Sequence, residues 1–490
     1  MKLSKCLEIL PDFRKDRAAD PEVSDLVIDS RLVTQGSLFF CIKGHHADGH
    51  QYAAQAEQKG AVAIVAQDKL SVSVPVIYVN DTHRALAMIS DHYYAHPSHS
   101  LHLIGVTGTN GKTTITYLVQ AIQEAAGIST GVIGTMGMHY KDHFSPVDNT
   151  TPEVHLIQKN LAAMKKQGAA SVVMETSSNA LYDGRVRGCD FNVAIFTNLT
   201  EDHLDLHGSM KDYMYAKSLL FSQLGNHYSE DGEIKAAVLN VDDKVSNVYK
   251  QMTAAPVITY GIDHEADFRA TSIRITPSGT SFSLVTGGET YPVAMKLIGR
   301  FSVYNVLAAI AACSVKGLKM SGMIQAIEQV KGVPGRFETV SAGQDFTVIV
   351  DYSHTPDSLK NALSTIKEFA KKKIITVVGC GGDRERGKRP VMAKIAVDHS
   401  DLAILTSDNP RTEDPEAILQ EMAAGVKGMA YKKITDRKQA IRYAISHAGT
   451  GDIILIAGKG HETYQIIGTV KHHFDDREIA KQIITELTGN

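Results

Sequence analysis

Along the 490-residue chain, short apolar runs alternate with longer stretches in which apolar residues return every three or four positions. Runs of the first kind read as strands and stretches of the second as helices, so the pattern predicts an α/β protein. Its clearest instance is an apolar run over 101–104, then Gly105-Val106-Thr107-Gly108-Thr109-Asn110-Gly111-Lys112-Thr113-Thr114, then a helical pattern over 115–126 closed by Gly127. A buried strand, a glycine-rich turn and a helix are the setting a phosphate-binding loop requires. Glycines let backbone N–H groups approach phosphate oxygens, and the helix N-terminus adds unpaired donors and a positive dipole end. Lys112 can neutralise outer phosphates, and the Thr113 hydroxyl can ligate Mg²⁺. The generic spacing puts the first glycine at position 106, which is valine, whereas Gly105 falls one residue early. The alternative is an ordinary strand-to-helix turn.

The same alternation divides the chain into three units: 1–98, 99–331 and 332–490. The first shows a helical pattern over 51–60, a short strand over 61–65 and the polar loop Gly44-His45-His46-Ala47-Asp48-Gly49-His50. Ala95-His96-Pro97-Ser98 reads as its exit linker, because proline disfavours helix in the residue before it. In the second unit, strands are expected over 131–138, 169–174 and 191–197, and antiparallel strands over 268–297. The 169–174 strand ends at Glu175, the usual place for a second Mg²⁺ contact beside a phosphate loop. The stretch 198–208 holds two histidines and three acids that could bind metal or form a solvated loop. Helices are expected over 210–221, which carries Lys217, and over 299–315 and 321–330. The third unit restarts the alternation, with strands over 346–350, 374–378, 402–405 and 453–456, and helices such as 357–370 and 415–425. Each strand there ends in a polar or glycine-rich turn, and ligands bind beyond the carboxyl ends of an open parallel sheet. The turns at 351–354, 379–384, 407–411 and 458–462 should therefore crowd around one site.

Composition narrows the function. The chain is 43% hydrophobic and 21% charged, as soluble globular proteins are. With 51 basic against 54 acidic residues, the net charge of −3 gives no electrostatic case for nucleic acid or an anionic membrane. No apolar run approaches the ~20 residues a bilayer needs; the longest is 306–315. The cysteines, Cys6, Cys41, Cys189, Cys313 and Cys380, are scattered and show no CxxC, so they read as reduced cytosolic thiols.

Taken together, the motifs resemble the Mur ligase family, and within it the UDP-N-acetylmuramoyl-tripeptide synthetases. Thr107 to Thr114 is similar to the family's own phosphate loop. So are Glu175-Thr176-Ser177-Ser178, Thr197-Asn198-Leu199 with Asp202-His203-Leu204-Asp205, and Ala216-Lys217 to its central motifs. Gly299-Arg300-Phe301 with Asn305, Gly335-Arg336-Phe337-Glu338 and Asp351-Tyr352-Ser353-His354-Thr355-Pro356 resemble later ones, and Asp29-Ser30-Arg31 with Asp48-Gly49-His50 resembles the uridine-binding first domain. The resemblance implies an α/β fold of three domains. A small N-terminal α/β UDP-sugar-binding domain is followed by a central P-loop-type ATP domain with a mostly parallel sheet, then a C-terminal Rossmann-like domain for the amino acid.

It also implies an ATP-dependent amide-bond ligase of cytoplasmic peptidoglycan precursor synthesis, working through an acyl phosphate, with ATP and Mg²⁺ as cofactors and a monomer as the expected state. Lys112, Glu175, His203 and Lys217 are then catalytic. Thr113, Glu175, His203 and a carbamylated Lys217 would hold Mg²⁺. Thr107, Gly108, Thr109, Asn110, Gly111, Lys112, Thr113, Asn305, Arg336 and Asp351 would contact ATP. Ser30, Asn149, Thr150, Thr151, Ser177 and Arg185 would hold UDP-N-acetylmuramoyl-L-alanyl-D-glutamate. Two departures stand out: Asn179 where the family commonly has His, and Asp183 where some relatives use Gln. The base that deprotonates the incoming amine is not singled out, with His354 as one candidate.

The added amino acid is read from Asp408-Asn409-Pro410-Arg411, which resembles the motif of the meso-diaminopimelate-adding members. Diaminopimelate differs from lysine by a second carboxylate, and Arg411 offers a planar fork that binds a carboxylate through two hydrogen bonds. Lysine would leave that fork unpaired. Arg384, Gly458 and Glu462 match other amino-acid contacts of the subgroup, with Glu462 placed for the distal ammonium. The alternatives are a sister ligase adding lysine or another diamino acid, a folylpolyglutamate-synthase-like ligase, and a nucleotide-binding regulator without catalysis.

Overall fold

The computed structural model describes residues 1–44, 47–202, 204–226 and 234–488. His203, and His45 and His46 of the polar loop, lie outside the described residues. The first sheet runs Arg14–Lys15, Val76–Tyr78, Ala61–Ala66, Ser37–Phe40, Asp25–Val27, parallel except at Arg14–Lys15. At its exit, Ala95 and His96 adopt left-handed φ of 58° and 48° before the Pro97–Ser100 turn, rather than the extended backbone that proline favours in the residue before it.

Among the described residues the central sheet has eleven strands. Its parallel middle runs Ala236–Asn240, Val193–Phe196, His102–Thr107, Ser171–Glu175, Thr130–Gly134. Strand pleating alternates the core: Leu103 packs into one apolar cluster, Ile104 and Val106 into the other. Helices Lys112–Ala125, Arg300–Ser314 and Met320–Gln329 cover one face, and Val154–Lys166 and Met210–Ser222 the other. The longest apolar run therefore lies in a buried core helix. The antiparallel strands expected over 268–297 are Phe268–Thr276, Gly279–Thr286 and Glu289–Met295.

One expected strand is two. Residues 131–138 form not one strand but Thr130–Gly134 returning antiparallel as Gly137–Tyr140. The turn depends on Gly137 at φ +106°, where a side chain would collide with the Phe144 ring. A continuous apolar stretch conceals such a turn, because both arms are buried.

The third sheet runs Glu338–Val340, Thr347–Asp351, Ile453–Ala457, Ile374–Cys380, Leu402–Ser407, Lys432–Lys433, parallel except at Glu338–Val340. Its four long parallel strands end on one edge, so the four polar turns gather there as expected. Helix Pro356–Phe369 starts on a capping box in which Thr355 and Ser358 satisfy each other's backbone donors, with proline in the first turn. A separate two-stranded hairpin, Tyr464–Ile467 with Val470–His473, stands beside these turns. Among the described residues no helix is long and apolar enough to cross a membrane.

Candidate active site

Strand His102–Thr107 sits between its two parallel neighbours, and its glycine-rich turn opens at the middle of the central sheet's carboxyl edge. Gly105 is inside that strand, where a Cβ would lie 2.9 Å from the Phe191 ring, so it is a packing glycine. The turn's own glycines are Gly108 at φ +146°, pressed against Thr197 Oγ1, and Gly111 at φ +91°, where a Cβ would lie 2.5 Å from Asn305 Oδ1. The helix begins at Lys112, earlier than the apolar pattern indicates, because its first turn is polar. The 197–200 segment braces the loop: Asn110 N–H donates to Asn198 Oδ1 at 3.0 Å, and Thr200 N–H to Thr109 Oγ1 at 3.0 Å. Thr107 turns its hydroxyl to the Thr176 carbonyl at 2.7 Å. Lys112 Nζ donates to the Gly108 and Thr109 carbonyls at 3.0 and 2.9 Å, folded over the cradle it is expected to neutralise. Burial lowers its pKa, with Glu175 and Asp202 pulling the other way.

Glu175, 1% exposed, is the hub beside the loop. One oxygen accepts from Thr135 N–H at 2.8 Å, the other from the Thr113 and Thr135 hydroxyls at 3.1 Å each. The third unit reaches the same point: Arg336 Nη2 donates to Thr113 Oγ1 at 3.0 Å, and Asp357 Oδ2 accepts from Asn110 Nδ2 at 3.0 Å and Thr200 Oγ1 at 2.9 Å. Asp351 holds this arm, accepting from Phe337 N–H at 2.8 Å and from the Ser353 hydroxyl; burial raises its pKa against those bonds and Arg336. Lys217 is fully buried, with Nζ donating to the Gly108 carbonyl at 2.9 Å and lying 4.4 Å from the Tyr213 ring centroid. Burial first, and the Lys112 charge second, drive its pKa well below the ordinary value, which favours a neutral amine. His354 is neutral near pH 7: burial, then Lys388, brings it to about 4, and Nδ1 is turned to the Tyr352 carbonyl at 2.9 Å.

A second group lies past Glu175. Thr151 Oγ1 donates to the Glu175 carbonyl at 2.8 Å and accepts from Ser177 N–H at 2.9 Å. Ser177 in turn caps helix Ser178–Asp183. Arg185 donates to the Thr151 carbonyl at 3.3 Å and pairs with Asp183 at 3.1 Å and Glu153 at 3.2 Å. Asp183, one of the two departures, thus has a definite task in orienting Arg185. Asn179 is half-buried in the first turn of that helix. The Thr150 and Thr135 hydroxyls lie 3.1 Å apart, within hydrogen-bond distance, and Asn149 is exposed. Ser30 stands apart in the first unit, donating to Gln55 at 2.7 Å. The nearby Asp48-Gly49-His50 turn is braced internally: His50 Nδ1 lies 2.6 Å from Asp48, while Nε2 accepts from Gln67 N–H at 3.0 Å.

The third group occupies the gathered turns. Arg411 Nη1 donates to the Gly382 carbonyl at 2.7 Å, and burial together with the Arg411 charge lowers the pKa of Arg384. Arg411 Nη1 and Arg384 Cγ lie 2.9 and 3.7 Å from the place a Cβ on Gly381 would take, so both side chains stand over the same turn. On the inner side, Lys459 Nζ, fully buried, donates to Asn409 Oδ1 at 2.9 Å and Glu462 Oε2 at 3.0 Å, while Asn409 Nδ2 donates to Glu462 Oε2 at 2.8 Å. Glu462 is pushed up by burial and by Asp408; against the upward pull of burial, Lys459 and Arg437 hold Asp408 down. Gly458, at φ +118°, is required here, since a Cβ would lie 2.6 Å from Asp408 Oδ2. Pro410 is buried behind the turn. Beneath it the fully buried Arg437–Asp476 pair, at 2.6 Å, also binds the Ala457 carbonyl at 3.0 Å, a brace whose loss costs about 3–5 kcal/mol.

Three family models match these units in order: the Mur ligase family, catalytic domain over 22–94, the Mur ligase middle domain over 106–313, and the Mur ligase, glutamate ligase domain over 335–460. The UDP-N-acetylmuramoyl-L-alanyl-D-glutamate--2,6-diaminopimelate ligase of Geobacillus thermodenitrificans is 54% identical over 488 residues, covering 99% of this chain and 100% of that protein. The chain belongs to the Mur ligase family. The ligase of the same description from Bacillus cereus is 54% identical over 490 residues, covering all of both chains. A solved structure of a UDP-N-acetylmuramoyl-L-alanyl-D-glutamate--2,6-diaminopimelate ligase matches at 33% identity and a TM-score of 0.70 over the full length of both chains. Mycobacterium tuberculosis folylpolyglutamate synthase, at 17% identity and a TM-score of 0.63, covers 82% of this chain and shares the fold. As a Mur ligase, the protein is an ATP-dependent, amide-bond-forming enzyme.

Within this Mur ligase, the structure joins the phosphate loop, Glu175, Arg336 and the Thr150–Ser177–Arg185 group through continuous hydrogen bonds, and sets Arg384, Asp408, Asn409, Arg411, Gly458 and Glu462 around a second centre. Among the described residues no hydrogen bond joins Ser30 to either. The sequence reading missed Thr135, Asp357 and Lys459. Lys459 had a signal, a lysine between two glycines in a turn already singled out. Thr135 lay hidden in the strand that is really a hairpin.

Proposed function

We propose that the protein joins meso-diaminopimelate to UDP-N-acetylmuramoyl-L-alanyl-D-glutamate, driven by ATP, in peptidoglycan precursor synthesis. The observation that carries the choice of amino acid is that the Arg411 and Arg384 side chains both stand over Gly381, with Asn409 hydrogen-bonded to Glu462 in the adjoining turns. On this reading the two guanidiniums take the far carboxylate of the acceptor and Glu462 its far ammonium, the two charges that diaminopimelate carries there together. Relatives 54% identical along their whole length bear the name of that activity.

Chemistry starts when a glutamate carboxylate oxygen attacks the γ-phosphorus of ATP. A P–O bond forms, the P–O bond to ADP breaks, and the carboxylate gains a good leaving group. The neutral amine of the acceptor then attacks the carbonyl carbon. The C–N bond forms, the C–O bond to phosphate breaks, and the surplus amine proton passes to a base. Gly108 to Thr113 cradle the phosphates, and Lys112 offsets charge on the group in flight. Asn305, Arg336 and Asp351 hold the nucleotide, and the Thr113 and Asp357 contacts bring the third unit onto the loop, which excludes water from the acyl phosphate. Asn149, Thr150, Thr151, Ser177, Arg185 and Ser30 hold the nucleotide-sugar dipeptide. With dipeptide labelled by ¹⁸O in its carboxylates, one label appears in the phosphate released; unlabelled phosphate would exclude the acyl phosphate route.

The oxygen set of Thr113 and Glu175 suits a hard divalent cation, and bound Mg²⁺ offsets negative charge on the phosphates. Lys217 in its neutral form can add CO₂, forming an N–C bond and releasing one proton; the resulting carbamate is an anionic oxygen donor, whereas an ammonium would repel the cation. His203 completes this set in the resemblance. Labelled bicarbonate is expected to give a protein-bound ¹³C carbamate resonance that disappears in Lys217→Ala. The same resonance in the variant, or none in the wild type, would rule the carbamate out. We also place the enzyme in the cytoplasm, a setting that suits its five free cysteines, and take it to act as a monomer.

A further inference from the structure

The Asp408–Arg411 turn is bound to the separate hairpin by four hydrogen bonds. Gln465 Nε2 donates to the Asp408 carbonyl at 2.6 Å, and Ile466 N–H to Asn409 Oδ1 at 3.0 Å. Arg411 N–H donates to the Ile466 carbonyl at 3.0 Å, and Gly468 N–H to the Arg411 carbonyl at 2.7 Å. Both backbone groups of Arg411 are thus taken by the hairpin, as a parallel bridge to Ile467.

The backbone of Arg411 explains the need for this. Its φ is +51°, a left-handed conformation that strains any residue with a Cβ and persists only where the surroundings over-determine it. The conformation sends the side chain over the 381–384 turn, where Nη1 meets the Gly382 carbonyl at 2.7 Å and lies 2.9 Å from the place a Cβ on Gly381 would take. An arginine with ordinary φ at this position would project elsewhere. Meanwhile the hairpin packs little of its own surface: Ile467 and Val470 are 52% and 55% exposed.

We infer that the Tyr464–His473 hairpin is a specificity-determining element, which holds Arg411 left-handed and so sets where its guanidinium meets the far carboxylate of the acceptor. Gln465 is the positioning side chain, acting through Arg411 without touching substrate. The inference rests on the reading of Arg411 given under the proposed function.

The test is steady-state kinetics of full-length Gln465→Ala and Gln465→Met, each also made in an Arg411→Ala background. Losing one hydrogen bond that fixes the turn raises KM for meso-diaminopimelate about five- to tenfold. KM for ATP and kcat at saturating acceptor change less than about twofold, and the preference for diaminopimelate over L-lysine falls by the same factor as KM rises. Methionine keeps the length and packing but has no donor, so both variants behave alike. With Arg411 already truncated, neither Gln465 change has a further effect on acceptor KM. The inference is overturned if Gln465→Met restores wild-type KM, if KM for ATP rises in parallel, or if the Gln465 effect survives in the Arg411→Ala background. If instead Arg411→Ala itself leaves acceptor KM unchanged, the reading of Arg411 falls, and the inference with it.

Discussion

Lys112→Ala is expected to lower kcat by about a thousandfold or more while leaving the protein folded. Lys112 is half-buried, and among the described residues its ammonium bonds to two carbonyls of its own loop, so its removal opens no large cavity. In the transition state the same ammonium meets charge spreading over the transferred phosphoryl group, in a site walled by Glu175, Lys217 and the loop backbone. A single preorganised donor to developing charge is worth about 10²–10³ in rate, and a full positive charge at a phosphoryl group more. Phosphate release at saturating ATP, beside a thermal melt, measures both halves. Activity within tenfold of wild type would remove the glycine-rich turn from the catalytic account.

Arg411→Ala is expected to raise KM for meso-diaminopimelate about a hundredfold and to leave KM for ATP near its wild-type value. Truncating one partner of a desolvated, doubly hydrogen-bonded charge pair costs about 2–5 kcal/mol, and Arg384 remains to keep part of the attraction. L-lysine lacks the carboxylate that the fork binds, so its kcat/KM should change little, and the preference between the two amino acids should shrink accordingly. Competition between the acceptors in one reaction reads this directly. Equal losses with both acceptors would make Arg411 a structural residue of the 408–411 turn.

What the sequence revealed and what it concealed follow from how local each feature is. The phosphate loop was legible because strand, turn, lysine and helix are consecutive, and its misplaced glycine resolved once Gly105 proved to pack against Phe191. Glu175 was legible as the end of a strand beside that loop. The four polar turns of the third unit were legible because parallel strands place such turns on one edge. The partners of these residues were not. Thr135 reaches Glu175 only because an apolar stretch breaks at Gly137, and Asp357 reaches Asn110 across 247 positions of chain. Asp357 was read merely as the start of a helix, which it is. Nothing in its neighbours reveals that the third unit closes on the loop. The hairpin that fixes Arg411 escaped notice for the same reason: its strands are short and partly exposed, and its purpose lies in a turn more than fifty residues away.

The most direct test of the central claim is phosphate release from ATP with UDP-N-acetylmuramoyl-L-alanyl-D-glutamate present, comparing meso-diaminopimelate, L-lysine and no amino acid. The account predicts sustained turnover with diaminopimelate alone. Turnover with lysine at equal or greater kcat/KM would contradict the role given to Arg411 and Arg384, and no turnover with either amino acid would contradict the ligase reaction itself.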